Sequence, residues 1–418
     1  MPRFLYTTLL WLLLPLVALR QAWRGRGEPD GWRALCARFG GVEPVAGRPL
    51  WLHCVSVGET VAAEPLVAAL RERGVPLMVS STTFTGAARV RQRFGRRLPQ
   101  RYLPFDIPLF VARFLDRVQP RALLILETEL WPNLIAACRR RGIPVILVNA
   151  RLSARSARGY ARLGRLSRAM LADLTLIAAQ SPADAGRFAA LGVPEDRLHV
   201  TGNLKFDAGG ESVLPADAAD LRAQIGARPV WVAASTHAGE DEIVLDAHRR
   251  LLRDRPEALL VLVPRHPERF NDVAALVARR GFTCLRRSAG DTPAPACAVF
   301  LGDSMGEMPL YYGIADVAFV GGSLVPVGGH NFLEPAALGL PLLTGPHCFN
   351  FEAIADDLVA AGALQRVNDG DALGEALVML LAGAGQRTAR GVAARAYVEK
   401  NRGACARTLA LIDAAVSS

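Results

Sequence analysis

Two doubly wound, Rossmann-like α/β domains facing a central cleft, preceded by a membrane-anchor helix, are what this sequence predicts. Three observations carry the prediction. Short apolar runs of strand character alternate with segments of helical period along almost the whole chain. That rhythm stops in a Gly/Pro-rich stretch at residues 207–217, DAGGESVLPAD, and then restarts. The 418 residues also exceed one ordinary core, since a domain takes roughly 150 residues. The resulting division is an anchor at 1–25, a first domain at 26–206 and a second at 207–418.

The anchor is the uncharged run FLYTTLLWLLLPLVAL at residues 4–19. At its helical rise it falls slightly short of a hydrocarbon core of about 30 Å. Arg20, Arg24 and Arg26 follow it, whereas only Arg3 precedes it. That asymmetry keeps the downstream chain cytoplasmic. The basic flank is on the wrong side for a cleaved signal peptide, and no A-x-A site follows. A helix lying shallowly in the interface is the other arrangement these residues allow.

In the first domain the strands are WLHCVSV (51–57), PLMVSST (76–82), ALLILET (122–128), PVILVNA (144–150), LTLIAAQS (174–181) and RLHVTGN (197–203). Helical segments run up to Arg73, over 85–94, over 132–141, through a basic stretch after 150, and up to Leu191. The second domain repeats the pattern with PVWVAAS (229–235), ALLVLVPR (258–265), ACAVFLG (296–302), DVAFVGGS (316–323) and LPLLTGP (340–346). Its helices include 239–253, 268–281 and 332–338. Continuous apolar strands of this kind are buried on both faces of a parallel sheet.

Composition narrows the function. The seven cysteines are scattered and form no CxxC, so neither a disulfide framework nor a structural zinc is expected, and the compartment reads as reducing. Residues 1–205 hold 30 Arg/Lys against 14 Asp/Glu, while the remainder holds 19 against 25. A cationic first half suits an anionic surface or substrate. Lysine occurs only at 205 and 400 beside 47 arginines. A lysine kept against such a bias is a candidate for a compact, functional ammonium.

Sheets of this class bind ligands beyond the carboxyl ends of their strands. Glu59 follows the first strand at the start of a helix, where free N–H groups favour an ionised carboxylate able to act as general base. Glu127 and Glu129 follow ALLILET, two acids that suit acid/base work or a cation. TGNLKFD places Lys205 near the hinge, where a cation can face an anionic reactant. VPRHPERF offers Arg265 as an anion contact, with His266 a weaker candidate. Gly306 and Glu307 follow the next strand. The segment 320–346, VGGSLVPVGGHNFLEPAALGLPLLTGP, combines glycines, His330, Asn331 and Glu334 ahead of a helix and reads as nucleotide-binding. No GxxxxGK[ST] or HExxH is present, and Asp369-Gly370-Asp371 sits too late to read as a metal motif.

These stretches together resemble the 3-deoxy-D-manno-octulosonic acid (Kdo) transferases. The resemblance rests on HCVSVGE, ETELWPN, the run at 149–156, GNLKFD, PRHPERF, SMGEM and GGSLVPVGGHNFLEP, and covers nearly the whole chain. It implies the GT-B glycosyltransferase fold, with acceptor handled by 26–206 and the CMP-sugar by 207–418. It implies CMP-Kdo as donor, a lipid A precursor (lipid IVA) as acceptor, and the cytoplasmic face of a Gram-negative inner membrane as location. Glu59 would be the proton acceptor, with Glu129 and Lys205 stabilising the transition state. Pro264, Arg265, Met305, Gly306, Glu307, Asn331, Phe332, Leu333 and Glu334 would line the CMP site. Many family members read NPLEP where Phe332 stands here. No cofactor is implied and no metal is expected, because the leaving group is a nucleoside monophosphate and fixed cations can stabilise it.

Arg151, Arg155, Arg158, Arg162, Arg165 and Arg168 recur every three or four residues, a cationic stripe suited to an anionic membrane surface or to acceptor phosphates. A GT-B enzyme using a UDP-sugar is the nearest rival reading. A membrane-anchored nucleic-acid binder is the rival from another class, but no nucleic-acid module is recognisable, so nucleic acid is not expected as a partner.

Overall fold

The computed structural model describes residues 2–28, 30–95, 98–207 and 214–417. Residues 208–213, most of the stretch read as a linker, lie outside the described residues. The chain forms two compact units, residues 1–208 with 401–418, and residues 209–400.

The first unit is built on a seven-stranded sheet: β1 (Leu50–His53), β2 (Leu77–Ser81), β3 (Gln100–Tyr102), β4 (Ala122–Leu126), β5 (Val145–Ala150), β6 (Leu176–Ala179) and β7 (Leu198–Val200). Their order is β3-β2-β1-β4-β5-β6-β7, and every pair is parallel. Successive side chains point to opposite faces. Trp51, Leu123, Ile125 and Leu147 therefore join one core with Phe114, and Leu50, Leu52, Leu124 and Val148 join the other with Leu66. Each such aliphatic side chain contributes about 1.5–3 kcal/mol on burial. The order reverses direction between β1 and β4, which makes their carboxyl ends the switch point of the sheet.

The second unit repeats the plan with β8 (Val230–Thr236), β9 (Leu259–Pro264), β10 (Cys284–Arg286), β11 (Val299–Leu301), β12 (Val317–Val320), β13 (Leu342–Thr344) and β14 (Leu364–Arg366). The order β10-β11-β9-β8-β12-β13-β14, again all parallel, reverses between β8 and β12.

Five features differ from the sequence expectation. β3, β10 and β14 were not anticipated. Each is a three-residue strand at a sheet edge, QRY, CLR and LQR, too short and too polar to give an apolar run. The helix Ala404–Ser417 belongs to the first unit, not to the second as the 207–418 division had it. Its Leu409 and Ile412 pack with Leu50, Leu52 and Leu66, and the Asp207 carboxylate accepts from the N–H groups of Gly403 and Cys405 at 2.8 and 2.6 Å. The arginine stripe is not one helix. Arg151 precedes the helix Ala154–Leu163, and Gly164, at φ +55°, separates it from the helix Arg165–Ala172 that carries Arg165 and Arg168.

The N-terminal helix runs over Arg3–Arg24 and is long and apolar enough to cross a membrane. It belongs to the first unit. Tyr6 donates to the Asp106 carboxylate at 2.9 Å, and Thr7 pairs with the side chain of Asn133. Asp106 in turn caps the helix Pro132–Arg140 by accepting from the N–H groups of Asn133 and Leu134 at 3.0 and 2.7 Å.

Candidate active site

The first unit brings Glu59, Glu127 and Glu129 to the switch point, together with Lys205 from beyond β7. Ser56 caps the short helix Val57–Ala62, its hydroxyl accepting from the Glu59 N–H at 3.2 Å. Glu59 folds back as in a capping box. Its Oε1 accepts from the Ser56 hydroxyl at 2.9 Å and its Oε2 from the Val55 N–H at 2.8 Å. The side chain is held in one pose while the residue remains 7 % exposed.

Burial dominates the electrostatics of this carboxyl. It raises Glu59 to about 7, against the lowering effect of the Val55 and Ser56 hydrogen bonds and with help from the negative charges of Glu127 and Glu129. The hydrogen bonds at the helix start favour the ionised form, as the sequence predicts, but burial outweighs them. Glu129 is also raised, by burial and then by Glu127. Lys205 is lowered by burial and then by Arg151, with Glu127 opposing.

The supporting residues escaped the sequence argument. Glu127 has φ +56° and Asn149 has φ +54°, conformations rarely held by non-glycine residues away from functional loops. Fully buried Asn149 accepts from the Leu204 N–H through its Oδ1 at 3.0 Å, and Asn203 accepts from the Lys205 N–H at 3.0 Å. These bonds fix the turn that presents Lys205. Thr128 donates to the Arg151 carbonyl at 3.0 Å and its own carbonyl accepts from Tyr160, which ties the Glu127–Glu129 loop to the basic segment. Arg151, Arg155, Arg158 and Arg162 are all exposed.

The second unit gathers its candidates beyond β8, β9, β11 and β12. Pro264 ends β9, and the Arg265 N–H donates to the Thr236 carbonyl at 3.0 Å while its side chain is exposed. Met305 and Gly306 are exposed, Gly306 with φ +85°. Glu307 accepts two bonds from Arg287, at 2.7 and 3.1 Å, and this pairing holds it below the usual carboxylate range. Asn331 bonds Glu334 at 3.0 Å and accepts from the Leu333 N–H at 3.0 Å. Phe332 and Leu333 are core residues, buried at 0 % and 5 % exposure, with Phe332 edge-on to Phe351. Their side chains anchor the loop in the core.

The N–H groups of Gly322, Ser323 and Leu324 in the first glycine loop have an internal partner. They donate to the fully buried carboxylate of Glu240 at 2.6, 2.9 and 2.9 Å. His237, one residue past β8, bonds His330 through their Nε2 atoms at 2.8 Å, with the rings stacked 5.0 Å apart and His266 edge-on at 5.2 Å. Burial first, then the neighbouring histidine and arginine charges, lowers His330 to about 4. Applying the strand-end rule to the STHAGE segment after β8 would have exposed His237 and Glu240 in the sequence. Among the described residues, no group of three or more His, Cys, Asp or Glu side chains is arranged to hold a metal ion.

Comparison with known proteins bears on these features. A family model described as 3-deoxy-D-manno-octulosonic-acid transferase (kdotransferase) matches residues 33–208. The 3-deoxy-D-manno-octulosonic acid transferase of Haemophilus influenzae is 44 % identical over 417 residues, covering 98 % of each chain. That of Bordetella pertussis is 43 % identical over 432 residues, covering 99 % of each. The crystal structure of MurG from Acinetobacter baumannii superposes with a TM-score of 0.55 at 16 % identity, covering 87 % of this chain and 99 % of that one, a likeness of fold alone. The motifs at the strand ends thus lie in a full-length match to these transferases, and the chain belongs to the Kdo transferase family of glycosyltransferases, with the GT-B fold.

Proposed function

We propose that this enzyme moves Kdo from CMP-Kdo to a lipid A precursor, lipid IVA, by a single inverting displacement with Glu59 as general base. The observation that carries the reading is Glu59 itself. It is a carboxyl at the switch point of the first sheet, both oxygens held, poised near 7 where a general base works best. An acceptor hydroxyl oxygen attacks the anomeric carbon of Kdo, its proton passes to Glu59, and the bond to the CMP phosphate breaks with its electron pair leaving on CMP. Lys205 and Glu129 stabilise charge in the transition state. Pro264, Arg265, Met305 to Glu307, Asn331 and Glu334 receive CMP, with Phe332 and Leu333 supporting the loop from the core.

The proposal assigns no metal. The departing group is a nucleoside monophosphate, and fixed cations such as Arg265 suit its charge. The exposed arginines at 151, 155, 158 and 162 face an anionic membrane surface or the acceptor phosphates. The apolar helix Arg3–Arg24 fits an anchor at the inner membrane, and Arg20, Arg24 and Arg26 after it keep both units on the cytoplasmic side. Purified enzyme with radiolabelled CMP-Kdo and lipid IVA is expected to label the lipid. Label entering only from a UDP-sugar, or none entering from CMP-Kdo, would overturn the assignment of the donor.

A further inference from the structure

The N-terminal helix meets the first unit along one side for its full length. Tyr6, Thr7, Leu10, Leu14, Ala18 and Gln21 are half-buried and recur every three or four residues. At the start of the helix the contacts are Tyr6 with Asp106 and Thr7 with Asn133. In the middle Trp11 packs on Phe110 with ring centroids 5.6 Å apart. At the end the backbone of Gly25 lies against Gly31, so closely that a Cβ on Gly31 would stand 1.9 Å from the Gly25 carbonyl oxygen. The helix is fixed at both ends and in between.

The opposite side is an apolar stripe. Leu5, Leu9, Leu12, Leu16, Leu19 and Trp23 follow helical spacing and are exposed, Leu12 at 74 %, Leu19 at 70 % and Trp23 at 69 %. At roughly 100° per residue this stripe lies about half a turn round from the docked one. Trp32 and Leu109 are exposed as well, at 76 % and 45 %. The helix holds no Asp or Glu, and exposed Arg20, Arg24, Arg26 and Arg33 cluster at one end of it.

A helix that crosses a bilayer is surrounded by lipid over a hydrocarbon thickness of about 30 Å. Here a crossing by the docked helix would drag its polar partners Asp106 and Asn133 into hydrocarbon, a costly placement for such groups. Laying the helix flat buries only the exposed stripe. It leaves the arginines at headgroup level, where anionic lipids attract them, and places Trp23 and Trp32 where indole rings partition.

We propose that the helix Arg3–Arg24 stays docked on the first unit and lies in the plane of the membrane, its stripe of Leu5, Leu9, Leu12, Leu16, Leu19 and Trp23 sunk into one leaflet of an anionic phospholipid bilayer. Both ends of the helix then remain on the same side as the catalytic units. The inference deepens the membrane attachment proposed above and rests on it.

The test is depth. Full-length enzyme carries single spin labels through Leu5→Cys, Leu9→Cys, Leu12→Cys, Leu16→Cys or Leu19→Cys, with the part-exposed Cys36, Cys284 and Cys405 replaced by serine. It is bound to phosphatidylethanolamine/phosphatidylglycerol vesicles, and oxygen and aqueous-relaxant accessibilities are read. The flat helix predicts one common depth for all five labels, on the order of 5–10 Å below the headgroups. Labels at 5 and 19 near opposite surfaces with 12 at the bilayer centre would show a crossing helix and overturn the proposal. Labels shielded by a second copy of the chain, or left in water, would overturn it as well. Kdo transfer assayed on the same vesicles separates this outcome from failure of the enzymatic reading, since a labelled, active enzyme with a crossing helix contradicts the orientation alone.

Discussion

Glu59 concentrates the argument at the scale of single residues. A helix cap holds its geometry while burial sets its affinity for a proton, and the two pull in opposite directions. Burial wins, as it does when a nearly enclosed carboxyl receives only two hydrogen bonds. The sign for stability follows. A carboxyl raised from 4.5 to about 7 binds its proton more tightly in the folded chain. Folding stability is therefore highest below about pH 4.5 for this group and falls as pH climbs to 7, by up to about 3 kcal/mol. Glu59→Gln, which stays neutral, escapes that loss. Unfolding midpoints of both proteins between pH 5 and 8 should diverge, with the variant gaining on the wild type as pH rises. Parallel curves would mean that Glu59 titrates as an ordinary exposed acid. The left-handed backbone of Glu127 and Asn149 belongs to the same scale. Glu gives no sign of a positive φ and Asn, which is enriched there, does not say which asparagine adopts it, so their part in positioning Lys205 and the acidic loop was invisible before the strands had been folded together.

At the scale of elements, two contacts deserve separate tests. Asp106 caps the helix Pro132–Arg140 and holds Tyr6 of the N-terminal helix. Burial raises this carboxyl to about 6 even though the N–H groups of Asn133 and Leu134 oppose the rise. Asp106→Ala removes a cap and orphans a phenol, and should cost about 2 kcal/mol. Amide exchange in residues 3–24 should accelerate with it, and unchanged exchange would show that the helix is held by apolar contact alone. The helix Ala154–Leu163 presents Arg155, Arg158 and Arg162 within one arc and buries none of its residues. Reversing Arg158 and Arg162 to Glu removes two cations worth about 1 kcal/mol each at an anionic surface. Flotation with anionic vesicles should show binding weakened by roughly 30-fold or more. Equal binding and equal turnover would eliminate the basic face as a docking element.

For the molecule as a whole, the sequence reveals most where burial is complete. The inner strands are uninterrupted apolar runs because both faces are covered by helices, so their positions and the two-unit plan were readable. The edge strands β3, β10 and β14 were not, since one neighbour is missing and their side chains are partly polar. The allegiance of the helix Ala404–Ser417 was not readable either, because its apolar positions would suit either core and only Asp207 and the Leu50 layer decide between them. The candidate site divides in the same way. Glu59, Glu129, Lys205 and Arg265 stand just past strands and follow from position. Glu240 lies inside a helix start and does its work by occupying the glycine loop from below, a role no motif announces.

The central claim is that transfer depends on the Glu59 carboxylate as proton acceptor. Single-turnover Kdo transfer by Glu59→Gln, with saturating CMP-Kdo and lipid IVA, tests it most directly. A positioned general base contributes about 10²–10⁴-fold, so the account predicts a rate reduced by that factor with CMP affinity preserved. Transfer at the parental rate would contradict it.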